Sequence, residues 1–280
     1  MTRPDRFTDR VAIITGGSNG LGRACADQLA AEGAKIVIAD LQPEPGRAAV
    51  EAIEAAGGTA MFVELDAASP EGNEAMVDAT IAAYGGVDLL VTAAGISSGS
   101  YTSGDREGGL KLMQMRAEAA AVNPAASLTE LDIDDWRRVL DVNLTGTLLA
   151  IQAASRVMLE QERKGSIVTI ASIAARDPLW GSPSYPVSKA GVWMLTKNAA
   201  KTLAPLGIRV NSVGPGFTET NMTSLMNETD ELRTMLMSLT PMGRMGQPVE
   251  VANLILFLLS DEASFITGEL IHPDGGWFTG

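Results

Sequence analysis

The sequence contains very few of the residues on which disulfides, metal centres and histidine catalysis depend. Its 280 residues include one cysteine, Cys25, and one histidine, His272. A single cysteine excludes a disulfide framework and a cysteine-based metal site within the chain. A single histidine argues against a histidine general base and a histidine-rich metal site, and we interpret His272 as structural. We therefore expect no metal.

Basic residues and long apolar runs are also scarce. The formal net charge is −13, which argues against binding to a nucleic-acid backbone or to an anionic membrane surface. No run of about 18 apolar residues occurs, and Met1–Arg10 is polar and charged. From these missing signals we expect a soluble, cytoplasmic protein.

Short apolar runs instead alternate with helical patterns along most of the chain. The alternation predicts parallel βαβ units and an α/β fold with one doubly wound, Rossmann-like parallel sheet of about seven strands, flanked by helices on both faces. We expect residues 1–280 to form a single domain. The predicted strands are 11–15, 35–39, 60–65, 87–92, 165–170, 207–213 and 270–272.

A glycine-rich turn follows the first predicted strand and opens a helix. Gly16, Gly20 and Gly22 allow a tight turn there, so that the helix N-terminal amides can meet a pyrophosphate. Asp40 ends the second strand, 18 residues after Gly22. A carboxylate there would accept hydrogen bonds from the adenosine ribose and repel a 2′-phosphate, and no Lys or Arg lies inside the glycine-rich turn or just after Asp40 to neutralise one. The cofactor is therefore predicted to be NAD, the alternative being that Asp40 caps a helix.

Residues 97–131 interrupt the alternation. Residues 97–109 are rich in Gly and Ser and predict a loop, whereas 110–122 contain strong helix formers that end at Asn123-Pro124. A segment this long inside a compact domain is often a lid or a binding loop. We expect it near the substrate cleft; a subunit contact and a neutral surface insertion are the alternatives.

Tyr185 and Lys189 are four residues apart, so on a helix they lie on one face, one turn apart. A phenol beside an ammonium forms an acid/base, because a fixed positive charge lowers the phenol pKa. The alternative is an ordinary helix start with a surface lysine.

Over nearly all of residues 8–277 the chain resembles the short-chain dehydrogenase/reductase family, in its shorter branch. The resemblance depends on the order and spacing of several motifs, including 13 positions between Ser172 and Tyr185. The motifs are Thr15-Gly16-Gly17-Ser18-Asn19-Gly20-Leu21-Gly22, Asp66, Asn143, Ser172, Tyr185 with Lys189, Pro215-Gly216 with Thr220, and Thr267-Gly268 before Asp274-Gly275-Gly276.

The resemblance implies four catalytic residues. Tyr185 transfers the proton, and Lys189 lowers the pKa of Tyr185 and binds the nicotinamide ribose. Ser172 donates a hydrogen bond to the substrate oxygen. Asn143 holds a water that links Lys189 to solvent. The alternative for Ser172 is a role in a turn at the end of a strand. The alternative for Asn143 is a structural helix distortion.

The resemblance also implies a set of cofactor contacts, with Asp66 at the adenine amino group and Thr220 at the nicotinamide carboxamide. The expected cofactor-binding residues are Gly16, Ser18, Asn19, Gly20, Leu21, Gly22, Asp40, Leu41, Asp66, Ala67, Ala93, Ala94, Gly95, Tyr185, Lys189, Pro215, Gly216, Thr218 and Thr220. One departure is the turn Thr92-Ala93-Ala94-Gly95, where the family commonly has Asn-Asn-Ala-Gly, so side-chain hydrogen bonds of that turn are lost.

The implied function is NAD-dependent interconversion of a secondary alcohol and a ketone. Ser172 and Tyr185 would contact the substrate. Trp180, Phe217 and a methionine-rich stretch (218–240) indicate that it is largely apolar, a property that cyclic and aromatic alcohols and ketones share. The alternatives are a non-catalytic NAD-sensing or scaffold protein on the same fold, and an epimerase or dehydratase of the longer branch. The family expectation is a homotetramer, with a dimer as the alternative.

Overall fold

The computed structural model describes residues 5–178, 182–227, 233–234 and 237–279. Within them, seven strands form one parallel sheet in the order β3-β2-β1-β4-β5-β6-β7. This confirms the predicted doubly wound α/β fold. The strands are β1 Val11–Thr15, β2 Lys35–Asp40, β3 Thr59–Glu64, β4 Leu89–Thr92, β5 Gly165–Ile170, β6 Ile208–Val213 and β7 Leu270–Ile271.

Helices connect the strands and cover both faces of the sheet. They begin at ordinary start signals, such as Ser69, whose side chain accepts from Gly72 N, and α3 ends at Gly85 in the left-handed region. The helices are α1 Gly20–Ala31, α2 Pro43–Ala55, α3 Pro70–Tyr84, α4 Arg106–Val122, α5 Ala126–Thr129, α6 Ile133–Leu140, α7 Gly146–Glu160, α8 Ser184–Leu203 and α9 Pro248–Leu259.

Two apolar cores lie on opposite faces of the sheet, because successive side chains of a strand point to opposite sides. Ile14 of β1 packs with residues of α1, α2 and α9, whereas its neighbour Ile13 packs with residues of α3, α7 and α8. Both side chains are completely buried. The buried strands therefore read as continuous apolar runs, as expected for a parallel sheet covered on both faces.

The strand order reverses between β1 and β4. β2 and β3 lie on one side of this point, and β5, β6 and β7 lie on the other. The loops that leave the carboxyl ends of β1 and β4 therefore diverge and open a crevice, which is where doubly wound sheets bind ligands.

Helices α6 and α7 form one continuous helical run, joined by a π-helical turn at Asp141–Thr145. This turn is the helix distortion given above as the alternative for Asn143. One prediction about the insertion was wrong. Residues 97–109 are not loop throughout, because α4 already begins at Arg106, where Asp105 caps it by accepting from Gly108 N. Among the described residues, no helix combines the length and the hydrophobicity needed to span a bilayer.

Candidate active site

A cavity of about 790 Å³ opens along the carboxyl ends of the strands. Its wall combines the glycine-rich turn, the ends of β2, β4, β5 and β6, the first turn of α8 and part of the 97–131 segment. The predicted site residues that line it are Gly16, Asn19, Gly20, Leu21, Gly22, Asp40, Leu41, Asp66, Ala67, Ala93, Ala94, Gly95, Ser172, Tyr185, Lys189, Pro215, Gly216, Phe217, Thr218 and Thr220.

Three predicted residues are not part of this lining. Ser18 and Asn143 are buried behind the wall, and Trp180 lies outside the described residues. In the methionine-rich stretch Met222 reaches the cavity, but part of this stretch also lies outside the described residues. Within the described ranges, no group of His, Cys, Asp and Glu side chains is arranged to hold a metal ion.

The glycine-rich turn forms a cradle that only glycine can form at Gly16. Its φ is +68°, and a Cβ there would lie 2.6 Å from Ala94 N. Helix α1 begins at Gly20 with no side-chain cap and no acidic residue in its first turn. The buried Ser18 hydroxyl has no hydrogen-bond partner. Unpaired donors at a helix N-terminus attract an anion, so the cradle fits a pyrophosphate.

Asp40 stands at the edge of the same crevice. One carboxylate oxygen accepts from Ser18 N at 3.1 Å and the other from Gln42 N at 3.1 Å. The N-cap of α2 is Gln42, so the alternative in which Asp40 caps that helix is wrong. A carboxylate oxygen accepts more than one hydrogen bond, so Asp40 can still accept from ligand hydroxyls.

Asp66 follows the third strand. Its carboxylate accepts from Ala68 N at 3.0 Å and from the Arg138 guanidinium at 3.4 Å. Arg138 also lines the cavity, which the sequence did not indicate. The ion pair holds the Asp66 side chain against α6, beside the crevice.

Tyr185, Ser172 and Lys189 meet on the other side of the crevice. Ser172 follows β5, and its side chain hydrogen-bonds to the Tyr185 phenol. The Lys189 ammonium lies 5.7 Å from the centroid of the Tyr185 ring and donates to Ile170 O at 2.8 Å. Lys189 is therefore a buried amine beside the phenol, not the surface lysine of the alternative.

The direction of the Tyr185 pKa corrects the sequence-based expectation. Burial raises the pKa of Tyr185, and the hydrogen bond from Ser172 opposes this rise without cancelling it. Burial also lowers the pKa of Lys189 to about 8. The sequence suggested a lowered Tyr185 pKa because it showed the neighbouring charge but not the removal of water from both groups.

Asn143 lies in the π-helical turn and is completely buried. Its side-chain amide donates to Ile96 O at 2.9 Å and to Ser188 Oγ at 3.0 Å, and its Oδ1 accepts from Ile96 N at 2.8 Å. Ser188 in turn donates to Tyr185 O at 2.7 Å. Asn143 thus joins the end of β4 to the first turn of α8.

Gly95 separates this amide from the lysine. A Cβ on Gly95 would lie 3.3 Å from Asn143 Oδ1 and 3.4 Å from Lys189 Nζ. Both amide hydrogens of Asn143 already have acceptors, so only an Oδ1 lone pair is left to bind a water. The water-holding role of Asn143 stays a prediction.

An aromatic contact forms part of the cavity wall. Phe217 meets Trp277 edge to face, with the ring centroids 5.7 Å apart, and the Trp277 indole donates to Asp177 at 3.3 Å. Trp277, which follows β7, therefore supports Phe217, which follows β6 and lines the cavity. The sequence indicated Phe217 but gave no signal for its partner, which is 60 residues away.

The sequence profile described as "short chain dehydrogenase" matches residues 10–231. A 2,5-dichloro-2,5-cyclohexadiene-1,4-diol dehydrogenase of Sphingobium indicum is 36% identical over 99% of both chains. A cis-4-hydroxycyclohexanecarboxylate dehydrogenase of Sinomonas cyclohexanicum is 36% identical over 98% of both. A 3-oxoacyl-[acyl-carrier-protein] reductase of Aquifex aeolicus is 36% identical over 98% of this chain and 99% of that protein.

A solved structure agrees with these sequence matches. A short-chain type dehydrogenase/reductase from Mycobacterium ulcerans superposes with a TM-score of 0.83 at 33% identity, over 97% of this chain and 90% of that one. The chain belongs to the short-chain dehydrogenase/reductase family, which confirms the family predicted from its motifs. It is thus related throughout its length to oxidoreductases, in a family that uses nicotinamide cofactors.

Proposed function

We propose that this protein is an NAD-dependent enzyme that interconverts a secondary alcohol on an apolar ring and the corresponding ketone. The observation that carries the proposal is the meeting of Ser172, Tyr185 and Lys189 at the cavity wall, across the crevice from the glycine cradle. One end of the cavity can bind a dinucleotide and the other can exchange a proton.

The cofactor assignment is supported by the residues around the cradle. Gly16, Gly20 and the α1 N-terminus can bind the pyrophosphate, and the Asp40 carboxylate can accept from ribose hydroxyls. A 2′-phosphate would meet the negative charge of Asp40 at close range, which favours NAD over NADP. A bound nicotinamide cofactor supplies the hydride acceptor or donor.

In this proposal Tyr185 is the acid/base. It takes the hydroxyl proton in alcohol oxidation and returns it to the carbonyl oxygen in reduction. Ser172 donates a hydrogen bond to the same oxygen as negative charge develops there. Lys189 keeps a positive charge beside the phenol, which favours its ionised form when oxidation requires it, and Asn143 holds Ser188 and the first turn of α8 in place.

The raised pKa of Tyr185 gives the two directions different pH dependences. A phenol whose pKa is above its ordinary value keeps its proton at neutral pH, which is the form needed to donate in ketone reduction. Oxidation needs the ionised form, so its rate should rise with pH. The raised pKa therefore affects how the rate of each direction depends on pH, and it leaves the equilibrium between alcohol and ketone unchanged.

The proposed substrate class has two supports. Met113, Met222 and Phe217 give the cavity an apolar wall. Two of the relatives are dehydrogenases whose names specify a cyclohexadiene diol and a hydroxycyclohexanecarboxylate. A ring bearing one or two hydroxyl groups fits both observations.

The test is a turnover assay that follows reduced-nicotinamide absorbance with NAD⁺ and NADP⁺. The alcohols would include cyclohexanediols, 4-hydroxycyclohexanecarboxylates and a linear 3-hydroxyacyl thioester as the competing class. Tyr185→Phe, which keeps the ring, should lower kcat by about 10²–10⁴ while reduced nucleotide still binds. Asp40→Asn, which removes only the charge, should raise kcat/KM with NADP⁺.

Each contrary result has a distinct meaning. A wild-type preference for NADP⁺ would contradict the role given to Asp40, and a preference for the thioester would contradict the ring substrate. Nucleotide binding without turnover on any alcohol or ketone would instead favour the sensor or scaffold function.

We also propose that the chain forms one domain and assembles as a homotetramer. Leu148 on α7, Met194 on α8 and Phe265 near β7 are apolar side chains that solvent reaches, and Phe265 is fully exposed. Exposed apolar side chains on two long helices and beside the last strand are surfaces that other copies of the chain could cover. Light scattering distinguishes a tetramer from the alternative dimer.

A further inference from the structure

The inserted segment is tied to both walls of the crevice through one residue, Ser103. The Gln42 side-chain amide donates to Ser103 O at 3.2 Å, and the Asn221 side-chain amide donates to Ser103 Oγ at 3.1 Å. The Asn19 amide also donates to Gln42 Oε1 at 3.4 Å. We call Asn19, Gln42, Ser103 and Asn221 the polar bridge.

The polar bridge connects segments that follow distant strands. Gln42 follows β2 and Asn221 follows β6, and these strands are separated in the sheet by β1, β4 and β5. Four strand spacings of about 4.8 Å place their ends roughly 19 Å apart. Since Gln42 and Asn221 both contact Ser103, the segments after β2 and β6 converge above the crevice, and Ser103 lies where they meet.

The bridge also lies directly beside the pyrophosphate cradle. Asn19 is the N-cap of α1 and Gln42 donates its backbone N–H to Asp40. On the other side, Thr220 comes so close that a Cβ on Gly20 would lie 3.4 Å from its methyl carbon. An extended dinucleotide bound along this line would pass beneath Ser103.

The rest of the insertion has few other anchors. Gly99 N donates to Asp135 Oδ1 at 2.8 Å, and Arg116 reaches the same oxygen at 4.0 Å. No residue of α4 is buried. Helix α4 also contacts the segment Asn221–Asn227, and Ala126 of α5 is buried. Loss of the Ser103 contacts would therefore loosen the insertion from the two walls without disturbing either core.

We propose that Ser103 is a cofactor-retaining residue: through Gln42 and Asn221 it holds the insertion across the crevice, and this bridge must open before a nicotinamide dinucleotide can leave. The proposal rests on the proposed function because it requires that the crevice binds such a dinucleotide. The insertion would then act in cofactor exchange, whereas Tyr185 and Ser172 act in proton transfer.

The test measures dissociation of whichever of NADH and NADPH the wild-type enzyme binds. The preformed complex is mixed with excess oxidised nucleotide in a stopped-flow instrument and the reduced-nicotinamide fluorescence is followed. Ser103→Ala and Asn221→Ala should each raise the dissociation rate by about 2- to 10-fold, which corresponds to the loss of one hydrogen bond. The double variant should dissociate no faster than either single variant, because both changes remove the same bond.

Two further variants separate the bridge from a general effect on folding. Ser103→Thr keeps the hydroxyl and should restore slow dissociation, and Ser100→Ala, an exposed serine of the same segment, should behave like the wild type. The thermal midpoint should be unchanged in all four single variants, since no core residue is touched. Gln42→Ala removes the second contact and should add to the effect of Ser103→Ala.

The outcomes distinguish this proposal from the one on which it rests. If the wild type binds reduced nucleotide but Ser103→Ala and Asn221→Ala dissociate at its rate, the polar bridge has no role in retention and the proposal is overturned. Fully additive effects of the two changes would also overturn it. If the wild type binds neither nucleotide, the proposed oxidoreductase function fails as well.

Discussion

Replacement of Lys189 by methionine tests whether the buried charge at this site is held at a cost to folding. Burial lowers the Lys189 pKa from its ordinary 10.5 to about 8. This difference corresponds to about 3 kcal/mol by which folding disfavours the charged form. Methionine has a similar length and no charge, so Lys189→Met removes that penalty together with the hydrogen bond to Ile170 O.

The sign of the effect follows from proton linkage. Between pH 8 and 10.5 the unfolded chain binds the Lys189 proton and the folded chain does not, so wild-type stability rises with pH. Below pH 8 both states are protonated and the whole penalty is present. Relative to Lys189→Met, the wild type should gain about 2 kcal/mol between pH 7 and pH 9.5, and up to about 3 kcal/mol above pH 10.5.

The assay is chemical denaturation of both proteins at several pH values from 7 to 9.5. This range stays below the ordinary tyrosine pKa, so Tyr185 contributes little to the difference. Lys201→Met, at an exposed lysine of the same helix, is the matched control and should show a constant difference from the wild type. A constant difference for Lys189→Met as well would refute the reasoning, because it would mean that folding does not perturb this ammonium.

Two further predictions concern the cradle and the residue behind it. Gly16→Ala places a Cβ 2.6 Å from Ala94 N at a φ of +68°, so it should abolish nucleotide binding in a fluorescence titration. The control is Gly57→Ala, at a φ of +87° with nothing within 4 Å of the added Cβ. It should only lower the free energy of unfolding, by about 1 kcal/mol. Normal binding by Gly16→Ala would contradict the cradle. Asn143→Ala leaves both Ile96 backbone groups without their side-chain partner, so it should lower the free energy of unfolding by about 3 kcal/mol, and a loss below about 1 kcal/mol in denaturant titration would contradict its bracing role.

The sequence predicted the fold well because strand and helix patterns are local. The apolar runs at Val11–Thr15 and Gly165–Ile170 have the bounds that the sequence suggested. A helix distortion at Asn143 was one alternative, but the sequence could not decide for it, because Asn143 satisfies the two backbone groups of Ile96, which is 47 residues away. No local pattern around Asn143 indicates that contact.

The spacing of the motifs predicted which residues come together at the site. Ser172, Tyr185 and Lys189 do meet, and most of the expected cofactor residues line one cavity. Their electrostatic state could not be predicted, because desolvation depends on every element packed around them. Ser103 gave no signal at all, since its partners Gln42 and Asn221 are 61 and 118 residues away.

Helix α4 has a consequence for how this protein can change. A helix without a buried residue contributes little to the stability of the folded chain, so substitutions along it should be tolerated. Yet Met113 and Arg116 of this helix line the same cavity as Tyr185. The α4 residues that line the cavity can therefore be substituted with little effect on the fold. A search for new substrate preferences can begin with these residues.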